Sequence, residues 1–276
     1  MAKPAGPTSH DVVAIVRRAL DTPRVGHLGT LDPFAEGLLV LVVGRATRLT
    51  AFASAWRKSY EGTIRLGTVT ATDDGTGDPV QVSEAWRGLP REAIAAALEG
   101  FRGMIAQRPP AHSAVHLDGE RAYRRARRGE AVRIAPRPVR VERLTLEGYA
   151  PPDVRFRATV GGGTYMRSLA RDLGAVLGCG AHLAELTRTA VGPFHLDQAL
   201  PPERVTTGDL RPAGLLVADL PARALAGPER DAVVHGRPLP AAGDEAQVAL
   251  FAADGELVAV GEREGDLLKP RVVVAD

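Results

Sequence analysis

Two hydrophobic periods alternate along this chain and predict its elements before any motif is considered. Val12, Val13, Val16 and Leu20 recur at helical spacing behind Thr8-Ser9-His10-Asp11, a capping-box pattern, which predicts a helix over residues 9–20. Asp11 is read there first as a helix cap, since the first helical turn favours a negative charge. Residues 58–67 alternate instead, placing Tyr60, Gly62 and Ile64 on one side of a strand. Residues 139–149 and 154–160 alternate as well. In the second, Val154, Phe156, Ala158 and Val160 share one face and Arg155, Arg157 and Thr159 the other, so the two read as an antiparallel pair turning at Pro151-Pro152-Asp153. Gly161-Gly162-Gly163 then leads into a helix with Leu169, Leu173, Val176 and Leu177 inward. Shorter helices are predicted up to Trp56 and over 92–98, and the apolar run 38–43 reads as a buried strand. Beyond about Pro201 the chain is Pro-rich and aperiodic, as a linker is, and three short strands follow at 247–251, 257–261 and 268–274, the pattern of a small β-rich domain.

Between the first helix and the first long strand lies the densest polar cluster, Arg24-Val25-Gly26-His27-Leu28-Gly29-Thr30-Leu31-Asp32-Pro33. Gly26 and Gly29 permit backbone angles and close approaches that a β-carbon blocks, and Pro33 biases Asp32 away from the α region, so Asp32 is expected on a loop or bend. On spacing alone, turn chemistry is the commoner explanation of such a cluster. The other is a carboxylate presented by a rigid scaffold as nucleophile or general base. Residues 70–78 are polar and glycine-containing and are read as a loop with no chemistry of its own.

Composition narrows the picture. A chain of 276 residues accommodates one large and one small domain, and 45% hydrophobic with 25% charged residues is ordinary for a soluble protein. Cys179 is the one cysteine, so neither an internal disulfide nor a thiolate zinc site is available. The start has no apolar signal core, and the run 38–43 is far short of the roughly 20 residues of a membrane span, so a cytoplasmic protein is expected. The net charge of +2 hides an uneven distribution. Residues 101–145 hold eleven arginines and four acids, +7, whereas residues 215–276 hold six basic and eleven acidic residues, −5. Arg121, Arg124, Arg125, Arg127 and Arg128 are therefore either a solvated helix face or a surface for a phosphate backbone. His112 and His116, four apart, suggest a metal pair on a helix, but Pro109 and Pro110 delay any helix and no third ligand is placed nearby, so no metal is expected. The turn at 161–163 lacks a Gly-Lys-Ser/Thr ending and dinucleotide spacing, which argues against a nucleotide cofactor.

The segment from Gly26 to Leu39 resembles, without a gap, the active-site motif Gly-His-x-Gly-x-Leu-Asp-Pro-x-Ala-x-Gly-Leu-Leu of the TruB family of tRNA pseudouridine synthases. Lys3 to Val13 is similar to that family's Lys-Pro-x-Gly-x-Thr-Ser-His-Asp-Val-Val element. Residues 107–127 resemble its tRNA-gripping insertion, with His112 and His116 where the family has Tyr and Lys. Gly163-Thr164-Tyr165-Met166-Arg167-Ser168 resembles its Gly-Thr-Tyr-Ile-Arg-Ser/Thr element, and residues 179–188 are similar to a further one. The family carries an apolar strand upstream of Lys-Pro, where this sequence begins at Met1-Ala2, so a missing sheet strand or a start recorded too far downstream is expected.

The resemblance implies an α/β fold, with a mixed, largely antiparallel central sheet flanked by helices. It divides the chain into a catalytic domain over 1–205, with the basic insertion at about 107–138, and a small PUA-like β domain over 206–276. The implied activity is isomerisation of uridine to pseudouridine at position 55 in the T loop of tRNA, with no cofactor or metal and tRNA as the partner of a monomer. Asp32 is then the nucleophile or base, held ionised by Arg167; His27 contacts the flipped nucleotide's surroundings, Tyr60 stacks on the base, and Tyr165 and Leu186 line the pocket. Tyr165 and Arg167 alternate, so a strand end is expected to face both into the site. From the residues alone, Tyr60 as a half-buried strand tyrosine and Leu186 as a core leucine stay open. So do other functions: an RNA chaperone, a guide-dependent synthase of the dyskerin type, and a two-carboxylate glycoside hydrolase, for which Glu36 is the adjacent partner.

Overall fold

The computed structural model describes residues 1–117 and 119–275; Asp118 and Asp276, counted among the charges above, lie outside the described residues. Helix Ser9–Ala19 begins at a capping box in which the Thr8 hydroxyl accepts from the Asp11 backbone N–H and the Asp11 carboxylate accepts from the Thr8 N–H. Val12, Val13 and Val16 form its buried stripe.

The alternating segments assemble an eight-stranded mixed sheet. Its path runs from the edge strand Ala2–Lys3 through Glu36–Leu38, Ala181–Val191, Lys58–Leu66, Asp153–Val160 and Arg137–Ala150 to Gly103–Gln107, with Phe194–His195 paired to Ala181–Val191. All pairings are antiparallel except that of Glu36–Leu38 with Ala181–Val191. Helices Arg91–Glu99 and Met166–Val176 contribute Ile94, Leu98, Leu169 and Leu173 to the core over this sheet, where they join Ile64, Phe156 and Leu183. Val176, expected inward, is 65% exposed, because it falls in the last turn beyond the stripe set by Leu169 and Leu173.

The apolar run 38–43 is not one strand. Leu38 ends the sheet strand, and Leu41–Val43 turns away to pair with Val25–His27 in a separate two-stranded ribbon, so the Asp32 loop is pinned at both ends by different sheets. Of the two glycines expected to be required there, Gly29 has φ +89°, whereas a β-carbon on Gly26 meets only ordinary contacts. The more demanding position is Gly37, with φ +103° and a β-carbon position 2.4 Å from the Arg188 carbonyl oxygen.

Strands Gln247–Phe251, Leu257–Glu264 and Leu267–Val273, with the shorter Ala222–Ala224 and Leu239–Pro240, form a five-stranded second sheet. The aperiodic stretch before it, expected as a linker, is a series of single 3-10 turns that is packed down. Leu216 and Val217 are buried with Leu28, Leu38 and Val42 on one side and Ala249, Leu257 and Val260 on the other. Among the described residues no helix is long and apolar enough to cross a membrane.

Candidate active site

Asp32 sits on the loop between Val25–His27 and Glu36–Leu38, as its Asp-Pro step predicts. Leu31 and Ala35 anchor the loop in the core, and three buried polar side chains hold its backbone. The Ser9 hydroxyl, in the first turn of the N-terminal helix, donates to the Leu31 carbonyl (3.0 Å) and accepts from the Leu31 N–H (2.9 Å). Lys3 Nζ donates to the carbonyls of Ala35 (2.6 Å), Pro33 (3.3 Å) and Pro4 (2.9 Å). The Arg188 guanidinium donates to Leu38 (2.8 Å), Gly29 (3.0 Å) and Thr30 (3.4 Å). Lys3 and Arg188 are each 1% exposed, so two cations are spent on fixing one short loop. Burial pulls the Lys3 amine below its ordinary range, against the raising effect of the carboxylates of Asp32 and Glu36.

Arg167 meets Asp32 as a fork. Its Nε and Nη2 each lie 2.9 Å from a different carboxylate oxygen, the planar two-bond geometry that fixes both orientation and charge. Arg167 is 5% exposed, whereas the Asp32 side chain keeps 34% of its surface open, so the carboxylate is the accessible member of the pair. The guanidinium is saturated from behind by the carbonyls of Thr72 (3.0 Å) and His112 (2.9 Å), and Asp74 Oδ2 lies 3.6 Å away. Asp74 is itself held by the Thr72 and Thr76 hydroxyls and the Thr76 N–H. Loop 70–78, read as having no chemistry of its own, therefore backs Arg167, and Asp73 pairs with Arg171 one helical turn on (3.1 Å). At Asp32 withdrawal from water raises the carboxyl above its ordinary value, and Arg167 partly pulls it back.

Tyr165 and Arg167 do not share a strand end. Tyr165 is the N-cap of helix Met166–Val176 and Arg167 lies in its first turn, because the glycine turn before them starts the helix at once. Tyr165 is half-buried, with the Arg137 guanidinium 5.2 Å above its ring. Tyr60 and Leu186, 6% and 7% exposed, belong to the same core cluster as Leu31, Ala35 and Met166. They lie on adjacent strands, Tyr60 opposite Arg188 and Leu186 opposite Gly62.

His27 ends the ribbon strand Val25–His27 with its ring edge-on to His10 at 5.7 Å. Its Nδ1 is buried and without a hydrogen-bond partner among the described residues, and burial, with His10 and Arg188 nearby, lowers its pKa. In the basic arm, Arg121 lies on strand Glu120–Arg121, Arg124, Arg125 and Arg127 on helix Ala122–Arg127, and Arg128 at its C-cap. Arg128 forks onto Glu120 (2.6 and 2.9 Å) and also reaches Glu130, while Arg125 lies 3.4 Å from Glu120. His112 is on a bend and His116 on a strand, so they are not the helical pair their spacing suggested.

Sequence reading passed over Ser9, Arg188, Thr72 and Asp74 as functional residues. Arg188 had a signal, a charge inside the otherwise half-apolar strand Ala181–Val191; Asp74 had none, since its role depends on a contact with a residue 93 positions away.

Residues 17–166 match the model of the TruB family pseudouridylate synthase N-terminal domain, and residues 167–219 that of the tRNA pseudouridylate synthase B C-terminal domain. The chain belongs to the TruB family. It is a pseudouridine synthase, an isomerase. Relatives called tRNA pseudouridine synthase B include those of Thermobifida fusca strain YX, 45% identical over 99% of this chain and 96% of that protein, and of Mycolicibacterium paratuberculosis, 45% identical over 99% and 95%. Among solved structures, the archaeal box H/ACA sRNP Nop10-Cbf5 complex contains a chain with TM-score 0.73 and 27% identity, covering 99% of this TruB-family chain and 84% of that one. A second, an H/ACA RNP bound to a substrate RNA containing 2′-deoxyuridine, gives TM-score 0.71 at 26% identity, covering 100% and 84%.

Proposed function

We propose that this enzyme isomerises uridine to pseudouridine at position 55 in the T loop of tRNA, with Asp32 as the nucleophile or base that opens the reaction. The observation that carries the reading is the Asp32–Arg167 fork, a carboxylate left accessible on a rigid loop while its arginine partner is buried. The reaction breaks the bond between N1 of the base and C1′ of the ribose, turns the base, and forms a bond from C5 to C1′. The C5 proton is lost and N1 regains one, so the atoms balance without redox chemistry.

A stacked T-loop uridine must first be extruded, at about a few kcal/mol. His27, neutral and next to the loop, fills the vacated space or contacts the flipped backbone. Tyr60 stacks on the base, Tyr165 and Leu186 form the pocket wall, and Arg121, Arg124, Arg125, Arg127 and Arg128 follow the backbone of the T arm. Residues 1–205 then act as the catalytic domain and 206–276 as a PUA-like domain whose −5 charge gives little affinity for RNA. The protein works as a cytoplasmic monomer, and opening the tRNA elbow as a folding chaperone is compatible with the same surfaces.

A guide-dependent synthase is the second reading, favoured by the likeness to chains from ribonucleoprotein complexes. The higher identity to proteins called tRNA pseudouridine synthase B, and an arm of its own, support the stand-alone reading. The test is incubation of purified protein and EDTA with an unmodified tRNA transcript, followed by carbodiimide primer extension. Wild type is expected to give product at position 55 without any guide, and Asp32→Asn to lower the rate by about 10²–10⁴-fold with tRNA binding retained. Near-normal turnover by Asp32→Asn sinks the assignment.

A further inference from the structure

Gln107 is the last residue of strand Gly103–Gln107, where the basic arm leaves the central sheet, and it is 1% exposed. Its side chain does not serve the sheet. The amide Nε2 donates to the Tyr165 carbonyl (3.1 Å), which also accepts from the Leu169 N–H (3.2 Å), and Oε1 accepts from the Tyr165 N–H (2.8 Å), so one side chain bonds both backbone groups of the N-cap of helix Met166–Val176. That N–H lies in the helix's first turn region and has no intrahelical acceptor, so Gln107 supplies a bond the helix cannot make for itself.

The next residues of the arm continue the seam. The Arg108 carbonyl accepts from the Ser168 hydroxyl (2.8 Å) and Arg171 Nη2 (2.9 Å), and the His112 carbonyl accepts from Arg167 Nη2 (2.9 Å), the nitrogen that also holds Asp32. Across the sheet, Arg137 pairs in register with Gln107 where the chain returns from the arm. Its guanidinium covers the Tyr165 ring and donates to Gly163 (3.0 Å). Both ends of the arm therefore close on the one turn that sets Tyr165 and Arg167.

We propose that Gln107 is a positioning residue for the isomerisation, which ties the base of the RNA-gripping arm to Tyr165 and so sets the angle at which Arg167 presents Asp32. The inference rests on the activity proposed above. Gln107→Met keeps the volume and removes both bonds, leaving the Tyr165 N–H unpaired and its carbonyl with the Leu169 N–H alone, while the arginines of the arm are untouched. Gln107→Glu keeps the acceptor for the Tyr165 N–H and loses the donor.

The experiment measures single-turnover pseudouridine formation at saturating enzyme, tRNA affinity by filter binding, and thermal unfolding, on the full chain. For Gln107→Met we expect the rate to fall by about tenfold or more, with affinity within about twofold of wild type and the melting temperature within a few degrees. Gln107→Glu is expected to fall between the two. The acid limb of the rate–pH profile is expected to move up, because Arg167 lowers the Asp32 pKa while Asp74 raises it and Lys3 lowers it, and only Arg167 is displaced. A Gln107→Met rate within about twofold of wild type overturns the inference. So does a parallel fall in rate, affinity and melting temperature, which marks a structural role; should Gln107→Met not fold, Gln107→Glu is judged by the same criteria. Absence of product from wild type rejects the activity itself and is read separately.

Discussion

At the scale of single residues, the chemistry turns on an imbalance between Asp32 and its neighbours. An isolated aspartate has a pKa of about 3.9. Here burial raises it, Arg167 opposes most strongly, Asp74 adds to the rise and Lys3 opposes weakly. In the role proposed for Asp32 the reacting form is the carboxylate, so activity is lost as pH falls through the raised value, and the acid limb is expected above the ordinary carboxylate range. The neighbours make this separable. Arg167→Lys loses the fork and weakens the opposing charge, so the limb moves further up. Asp74→Asn removes a like charge, so the limb moves down. Single-turnover rates across pH for wild type and both variants check the signs; shifts in the same direction contradict the electrostatic account.

At the scale of elements, most of what periodicity can carry was legible. The capped helix at Ser9, the pair Arg137–Ala150 and Asp153–Val160, and the central strand Lys58–Leu66 all follow from spacing that is local in the chain. The parts that were not legible are those set by contacts distant in sequence. The run 38–43 splits because Glu36–Leu38 pairs with Ala181–Val191 while Leu41–Val43 pairs with Val25–His27, which no local pattern reveals, and loop 70–78 gains its contacts through Arg167. Asp32, Tyr165 and Arg167 were singled out by motif resemblance; spacing alone favoured a turn at Asp32 and a strand end at Tyr165 and Arg167. The arm was found from charge, but charge does not say how it is arranged. Glu120 occupies Arg128 and approaches Arg125, so in the proposed role of the arm an RNA phosphate has to replace a carboxylate at those positions. In tRNA binding titrated against salt, Arg121→Ala, Arg124→Ala and Arg127→Ala are each expected to reduce the log–log slope by about 1. Arg128→Ala is expected to change it less, and an Arg128→Ala effect as large as the others argues that Glu120 does not compete.

At the scale of the whole molecule, the two sheets share a core, and this bears on how the Asp32 loop is stabilised. Leu28 and Leu38 flank the loop that carries Asp32, and both are buried in one cluster with Leu257 and Val260 of the second sheet and with Leu216 and Val217 between them. Strand Leu257–Glu264 therefore shares a core cluster with both flanks of the loop whose backbone Lys3, Ser9 and Arg188 hold. If that cluster is a joint core, the sheets cannot unfold separately. Leu257→Ala removes a 3%-exposed side chain from its centre and is expected to lower stability by about 2–5 kcal/mol. Calorimetry is expected to show one transition moving down as a unit, and pseudouridine formation is expected to be lost at the same temperature. Two resolved transitions, with only the lower one shifted and activity surviving it, mean that the catalytic sheet stands alone and that the second sheet is an appendage rather than a support.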